Sequence, residues 1–195
     1  MSRYIETIRI EGGRIYNLPY HNRRMNETRR NIFQASDKLD LSDYIHPEAY
    51  QDRTKCRVVY EQEIVEVEYA PYAIRPVSSL HIVEDNTFCY QYKSTDRDAL
   101  NRLFASRGVA DDVFIVQDGL LTDTSICNIA LWNGERWLTP SCPLLQGTKR
   151  ASLMDEGVLF PSEIKVDDLK LYSRIRLFNA MIEFGEIEFP VGNID

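Results

Sequence analysis

No apolar run in this chain approaches the ~20 residues that a helix needs to cross a bilayer, so nothing in the sequence argues for a membrane-spanning segment. The start, Met1-Ser2-Arg3-Tyr4, leads straight into a strand-like pattern without the apolar core of a signal peptide, and a cytoplasmic location is expected. Cysteine is scarce. Cys56, Cys89, Cys127 and Cys142 are the four present, and they lack the paired short spacings of a zinc site or a disulfide framework. The three histidines, His21, His46 and His81, show no metal-ligand spacing either, and no metal is expected. Positive charge is in deficit: 23 Lys and Arg against 30 Asp and Glu give a net charge of -7, the wrong sign for a nucleic-acid surface. The one basic run, Arg23-Arg24 to Arg29-Arg30, reads as a solvated helix face. Internal repeats and low-complexity tracts are missing as well.

What the chain does have is enough apolar material for a core, 44% of 195 residues, punctuated by strong turn signals. Tyr4 to Glu11, Gly12-Gly13 and Arg14-Ile15-Tyr16 read as a hairpin. Pro19 suits a first helical turn, and Tyr20 to Ala35 reads as a helix with Met25, Ile32 and Phe33 on its apolar face. Residues 56–60 and 64–69 predict a second hairpin, Leu80 to Val83 a strand, and Phe88-Cys89-Tyr90 an aromatic strand leading into a helix-like segment at Lys93. Further on, 98–107 predicts a helix ended by Gly108. The turns Asp118-Gly119 and Asn133-Gly134 predict two more hairpins. Thr148 to Asp155 reads as a short helix, and 177–180 and 186–189 as late strands. The expected organisation is α+β in two lobes, residues 1–84 and 85–195, joined near residues 83–94.

Chemistry enters through the order of a few residues. Lys93 lies in Tyr92-Lys93-Ser94-Thr95-Asp96-Arg97. Asp123 opens Asp123-Thr124-Ser125-Ile126-Cys127-Asn128, and Leu144 to Arg150 follows at a loop-to-helix junction. Taken singly, these are an exposed lysine, a turn acid and a helix start. Together they supply an amine, an acid and a phosphate cradle, the three needs of pyridoxal phosphate: a lysine for covalent attachment, a carboxylate to hold the pyridine proton, and backbone N–H groups for the phosphate. Gly147, Thr148 and Lys149 are the candidate backbone donors, and Arg24 is the candidate guanidinium fork. Arg75 and Arg97 are candidate partners for a substrate carboxylate, each with a plain surface role as the alternative. Tyr90 and Tyr92 either flank the cofactor or simply pack.

These pieces, with Ile5-Glu6-Thr7-Ile8-Arg9, His21-Asn22-Arg23-Arg24-Met25 and Thr139-Pro140 in the same order, resemble the fold-type IV pyridoxal phosphate enzymes, the aminotransferase class IV family. That family includes branched-chain aminotransferase, D-amino acid aminotransferase and 4-amino-4-deoxychorismate lyase. The resemblance implies a D-amino acid aminotransferase-like two-lobed fold with the cofactor at the lobe junction, a homodimer, and a small amino substrate. It also implies that Lys93 is the Schiff-base lysine, Arg24 a phosphate ligand, and Thr148 and Lys149 backbone phosphate donors, with Asn179-Ala180 bordering the cofactor. Two departures stand out. Asp123 occupies the place of the family's glutamate, one methylene shorter, and the chain starts at the Glu6 strand, N-terminally shortened relative to family members. The spacing from Lys93 to Arg97 resembles lyase-like members. The expected activity is therefore 4-amino-4-deoxychorismate lyase, releasing pyruvate and 4-aminobenzoate in folate biosynthesis, with a branched-chain or D-amino acid aminotransferase, or a non-catalytic family member, as alternatives.

Overall fold

The computed structural model describes residues 2–195. In chain order the elements are β1 (Tyr4–Glu11), β2 (Arg14–Ile15), α1 (Leu18–Phe33), β3 (Thr54–Tyr60), β4 (Ile64–Pro71), β5 (Leu80–Glu84), α2 (Asp98–Ala105), β6 (Asp112–Gln117), β7 (Leu120–Thr124), β8 (Asn128–Trp132), β9 (Trp137–Pro140), α3 (Thr148–Asp155), β10 (Leu159–Ser162), β11 (Arg174–Phe178) and β12 (Ile187–Pro190). Among the described residues no helix is long and apolar enough to cross a membrane. The chain divides into two compact units, residues 1–74 with 92–96, and residues 75–91 with 97–195.

The first unit is an antiparallel sheet, ordered β2-β1-β3-β4, with α1 against it. Gly12 and Gly13 take φ of 58° and 69°, the left-handed pair that a two-residue hairpin turn requires and that glycine enters without steric cost. Alternate β1 residues Tyr4, Ile8 and Ile10 bury against Met25, Leu41, Cys56, Val58 and Tyr60. Pro19 sits in the first turn of α1, as its fixed φ favours. The basic run on that helix is only in part the solvated face that its charge suggests: Arg23 and Arg30 are exposed, whereas Arg29 is not. His21, Met25, Thr28 and Arg29 share the buried stripe, while Ile32 is turned outward. Arg29 is fully buried because its donors are met: Nε donates to the Gln62 carbonyl at 2.7 Å and Nη2 to the Asp37 carboxylate at 3.0 and 3.1 Å.

The second unit holds a five-stranded sheet, β10-β9-β8-β11-β12, and a three-stranded one, β5-β6-β7. β5 runs parallel to β6, with α2 in the connection between them. This pairing is why the second unit begins at Arg75 rather than at residue 85. β10 was not legible, since it pairs in parallel at the sheet edge, where Pro161 costs no ladder bond and hides the strand pattern.

The segment around Lys93 also departs from expectation. Phe88 to Tyr90 is not a strand, and no helix opens before Asp98. The Gln117 side-chain amide donates to the carbonyls of Asp85 and Phe88, giving that stretch its polar partners without a ladder. The Phe88 and Tyr90 rings stack at 5.9 Å and pack with Leu100, Val113 and Ile115. Tyr92 to Asp96 instead clusters with the first unit, where Ile5 N donates to the Lys93 carbonyl at 2.9 Å and Thr95 N to the Arg3 carbonyl at 2.9 Å.

Candidate active site

In the first unit, a carboxylate in the middle of β1 organises the neighbouring cations. Glu6 is fully buried, and His21 and Arg24, three residues apart on one face of α1, both reach it. Arg24 donates from Nε to Glu6 Oε1 at 2.9 Å and from Nη2 to Oε2 at 2.6 Å, the parallel fork that guanidinium and carboxylate geometries share. His21 Nδ1 lies 2.6 Å from Glu6 Oε2. Burial alone would raise the Glu6 pKa, but Arg24 and His21 more than offset it and hold the carboxyl at about 2. An ionised carboxylate only accepts, so His21 Nδ1 carries the proton of this bond. Burial in turn lowers the His21 pKa, a shift that Glu6 opposes and that the charges of Arg24 and Lys93 reinforce. The imidazole is therefore neutral near pH 7, and the half-buried Lys93 lies within electrostatic reach of it. Two of the five N–H donors of Arg24 are committed to Glu6, which sets how that guanidinium is presented.

In the second unit, a tight turn returns the chain onto Asp123. Thr124 Oγ1 accepts from Cys127 N at 3.0 Å, and Thr124 N donates to the Cys127 carbonyl at 2.9 Å, so Asn128, at the start of β8, comes back beside Asp123. Asn128 Nδ2 donates to Asp123 Oδ1 at 2.8 Å and to the Leu145 carbonyl at 3.0 Å, while Leu145 N donates to Asp123 Oδ2 at 3.0 Å. Burial dominates the electrostatics here and pushes the Asp123 carboxyl up to about 6, against the pull of those donors and of the Arg150 charge. Arg150, itself buried, donates to Thr139 Oγ1 at 3.3 Å and to the Pro140 carbonyl at 2.8 Å, tying α3 to the end of β9.

Gly147 precedes α3 with φ of -69°, a backbone any residue adopts. Its glycine identity comes from crowding: a Cβ there would lie 1.8 Å from Asn128 Oδ1 and 3.0 Å from Asn128 Cγ. Because the Asn128 amide is held by two hydrogen bonds, it cannot swing away cheaply. Gly147→Ala is expected to cost about 1–3 kcal/mol, the usual penalty of overpacking, read as a lower denaturant midpoint with unchanged slope. A midpoint equal to wild type would show that Asn128 yields freely.

Each residue singled out in the sequence now has a place. Lys93 and Arg24 fall in the first unit, and Asp123, Gly147, Thr148 and Lys149 in the second. Thr148 is buried in the first turn of α3, and the Lys149 ammonium pairs with Glu183 at 2.5 Å, so a phosphate role for Lys149 rests on its backbone N–H. Arg75 donates to the Asp111 carbonyl at 2.9 Å and to Asp112 Oδ2 at 2.7 Å and lies over the Phe104 ring, which accounts for it without any substrate. Arg97 donates to the Ser125 carbonyl at 2.9 Å, and Asn179 Nδ2 to the Ile126 carbonyl at 3.2 Å; both brace the turn behind Asp123. Glu6 and Asn128 stood out in the sequence only as neighbours of other residues, and His21 only as a neighbour and as a histidine without metal-ligand spacing. The i, i+3 spacing of His21 and Arg24 opposite a strand carboxylate was the available signal for the first pair.

The family model for amino-transferase class IV matches residues 4–188. A Haemophilus influenzae protein of unassigned function is 33% identical over 180 residues, 90% of this chain and 96% of that protein. A candidate aminodeoxychorismate lyase from Schizosaccharomyces pombe is 28% identical over 189 residues, 86% of this chain and 81% of that one. Among solved structures, a candidate 4-amino-4-deoxychorismate lyase from Haemophilus somnus superposes with a TM-score of 0.84 at 31% identity, covering 93% of this chain and 97% of that one. With a family model spanning nearly its whole length, the chain belongs to the class IV aminotransferases, pyridoxal phosphate-dependent enzymes of fold type IV.

Proposed function

We propose that the protein is a 4-amino-4-deoxychorismate lyase that releases pyruvate and 4-aminobenzoate. The observation that carries the choice of lyase is the likeness to the Haemophilus somnus lyase candidate, at 31% identity across 97% of that chain. The spacing from Lys93 to Arg97 supports the same choice.

The residues present fit pyridoxal phosphate by the chemistry of their donors and acceptors. Asp123 is a buried carboxylate whose Oδ1 accepts from Asn128 and Oδ2 from Leu145, and a carboxylate oxygen has capacity for more than one bond. Being desolvated, it is most favourably ionised beside a cation, which is what a protonated pyridine nitrogen offers. The α3 N-terminus, with the backbone of Gly147, Thr148 and Lys149, suits a phosphate through its N–H groups and the helix dipole. Arg24 would add a guanidinium fixed by Glu6, and Lys93 the amine for covalent attachment. When bound, the cofactor supplies an electron sink that acidifies the carbon bearing the substrate amine.

The chain's own groups do the rest. With its amine free, Lys93 would be the base that takes the proton from that carbon. A neutral His21 adds no second positive charge beside it, and this favours the unprotonated amine over what an imidazolium would allow. With its carboxyl at about 6, Asp123 is mostly ionised at neutral pH, and a pyridine proton held beside it would favour that form further. Expulsion of pyruvate from the neighbouring carbon leaves the aromatic amine.

The test is a direct assay of the purified, cofactor-loaded protein. Incubation with 4-amino-4-deoxychorismate should give 4-aminobenzoate and pyruvate in equal amounts, while a panel of branched-chain L-amino acids and D-amino acids with a keto-acid acceptor should give little or no exchange. Transamination without 4-aminobenzoate release would replace the lyase reading with the aminotransferase one. Absence of both, with no visible absorbance band from added cofactor, would favour a non-catalytic family member.

A further inference from the structure

We propose that Asn128 is a positioning residue that makes the Asp123 carboxylate and the loop leading into α3 a single rigid piece, so that the acid for the ring nitrogen and the cradle for the phosphate are set together. The inference deepens the pyridoxal phosphate reading above and rests on it for the names of the two subsites. The coupling itself stands on geometry within one unit of the chain.

Three contacts build it. Asn128 is buried, and both N–H bonds of its amide are used, one on Asp123 Oδ1 at 2.8 Å and one on the Leu145 carbonyl at 3.0 Å. Both partners are pure acceptors, which fixes the amide orientation: the nitrogen faces them and Oδ1 faces away. Leu145 N closes the ring of contacts by donating to Asp123 Oδ2 at 3.0 Å. On the other side, Asn128 Oδ1 lies so near Gly147 that no side chain fits between them. Asp123, Asn128, Leu145 and Gly147 thus interlock across β7, β8 and the start of α3. A shift of the phosphate cradle must move the carboxylate, and release of the carboxylate must loosen the cradle.

Residue chemistry explains why asparagine is required at this point. Aspartate at 128 would place a second acceptor against two acceptors, and leucine or alanine would leave Asp123 Oδ1 and the Leu145 carbonyl buried without their donor. Glutamine carries the same amide on a longer stem, into a space that Gly147 already closes. The sequence offers one reason to look here: Asn128 follows Asp123 by five residues, and the Thr124 turn between them is what makes that interval a contact.

The experiment uses the full chain and variants Asn128→Ala and Asn128→Asp, the second preserving volume in case the first does not give a cooperative melt. Three quantities are read: hydrogen-exchange protection of the Leu145 amide, the Asp123 titration midpoint followed by carbon-13 carboxyl shifts, and the affinities for pyridoxal phosphate and for inorganic phosphate. Loss of a donor to a carboxylate should raise the Asp123 midpoint, lower Leu145 protection, and weaken pyridoxal phosphate retention roughly tenfold or more, though Asn128 need touch neither ring nor phosphate. Inorganic phosphate, which probes the cradle alone, should weaken in the same direction. A purely structural asparagine would lower the melting temperature and leave the Asp123 midpoint where it was. Wild-type midpoint and wild-type Leu145 protection in either folded variant would overturn the proposal. Failure of the wild-type chain to retain pyridoxal phosphate would instead strike the cofactor reading, and Leu145 protection would still decide the coupling.

Discussion

Lys93→Ala is expected to abolish turnover and the visible absorbance band of the cofactor-loaded protein while leaving a cooperative melt. Alanine has no amine to bond covalently with the cofactor or to take the substrate proton, and loss of the proton transfer alone is worth roughly 10²–10⁴-fold in rate. The fold should survive because what the segment gives β1 is main chain: the Lys93 carbonyl accepts from Ile5 N whatever side chain sits above it. A second readout needs no cofactor. Burial, first, and then the charges of Arg24 and Lys93 lower the His21 pKa, so removing one of those charges should move its midpoint upward in an imidazole titration by NMR. Full activity in the variant would remove Lys93 from the chemistry. A melt lost altogether would show that its side chain serves the sheet instead.

Much of the fold was legible because local chemistry and tertiary context agree. The pairs Gly12-Gly13 and Asp118-Gly119 occupy left-handed backbone in the structure, and each closes the hairpin that its residues predict. Alternation marked β4, the Asp118-Gly119 turn marked β6, and helical spacing marked α2. Legibility failed where the partner lay far along the chain. Arg29 reads as solvent-facing until Asp37 and the Gln62 carbonyl are seen to meet it, and Phe88 to Tyr90 reads as a strand until Gln117 takes the Phe88 carbonyl. β10 hid behind an edge proline.

The same division runs through the site. Ordered motifs pointed to Lys93, Asp123 and Gly147, because each carries a distinctive residue type at a fixed interval. Their supports were hidden. Glu6, 18 residues before Arg24, and Asn128, five residues after Asp123, act through pairings that only the folded backbone reveals. Arg75 shows the converse: a cation near the expected lobe joint invited a ligand role, and in the structure its guanidinium donates to the Asp111 carbonyl and the Asp112 carboxylate.

Glu6→Ala is expected to destabilise the protein by about 3–5 kcal/mol, since it strands Arg24 and the fully buried His21 without their shared acceptor. The isosteric Glu6→Gln separates charge from packing. Its oxygen still accepts one bond, but its amide nitrogen turns a donor toward a donor, so it too should lose stability, by less than alanine because no cavity forms. The pH dependence gives the sharper distinction. The folded carboxyl titrates at about 2 against an ordinary value of 4.5, so between these values the unfolded chain binds more protons and stability rises with pH. That contribution is fully present above pH 4.5 and is lost as pH falls toward 2; over this window it amounts to about 3 kcal/mol. Denaturant melts taken stepwise through the window should therefore show a steep acid limb in wild type and a shallower one, by one proton, in Glu6→Gln. Parallel limbs in the two proteins would mean that other carboxylates carry the acid sensitivity and that Glu6 keeps no ion pair with Arg24. A flattened limb together with weaker retention of inorganic phosphate would place Glu6 in the phosphate subsite as well, acting through the guanidinium it holds in place.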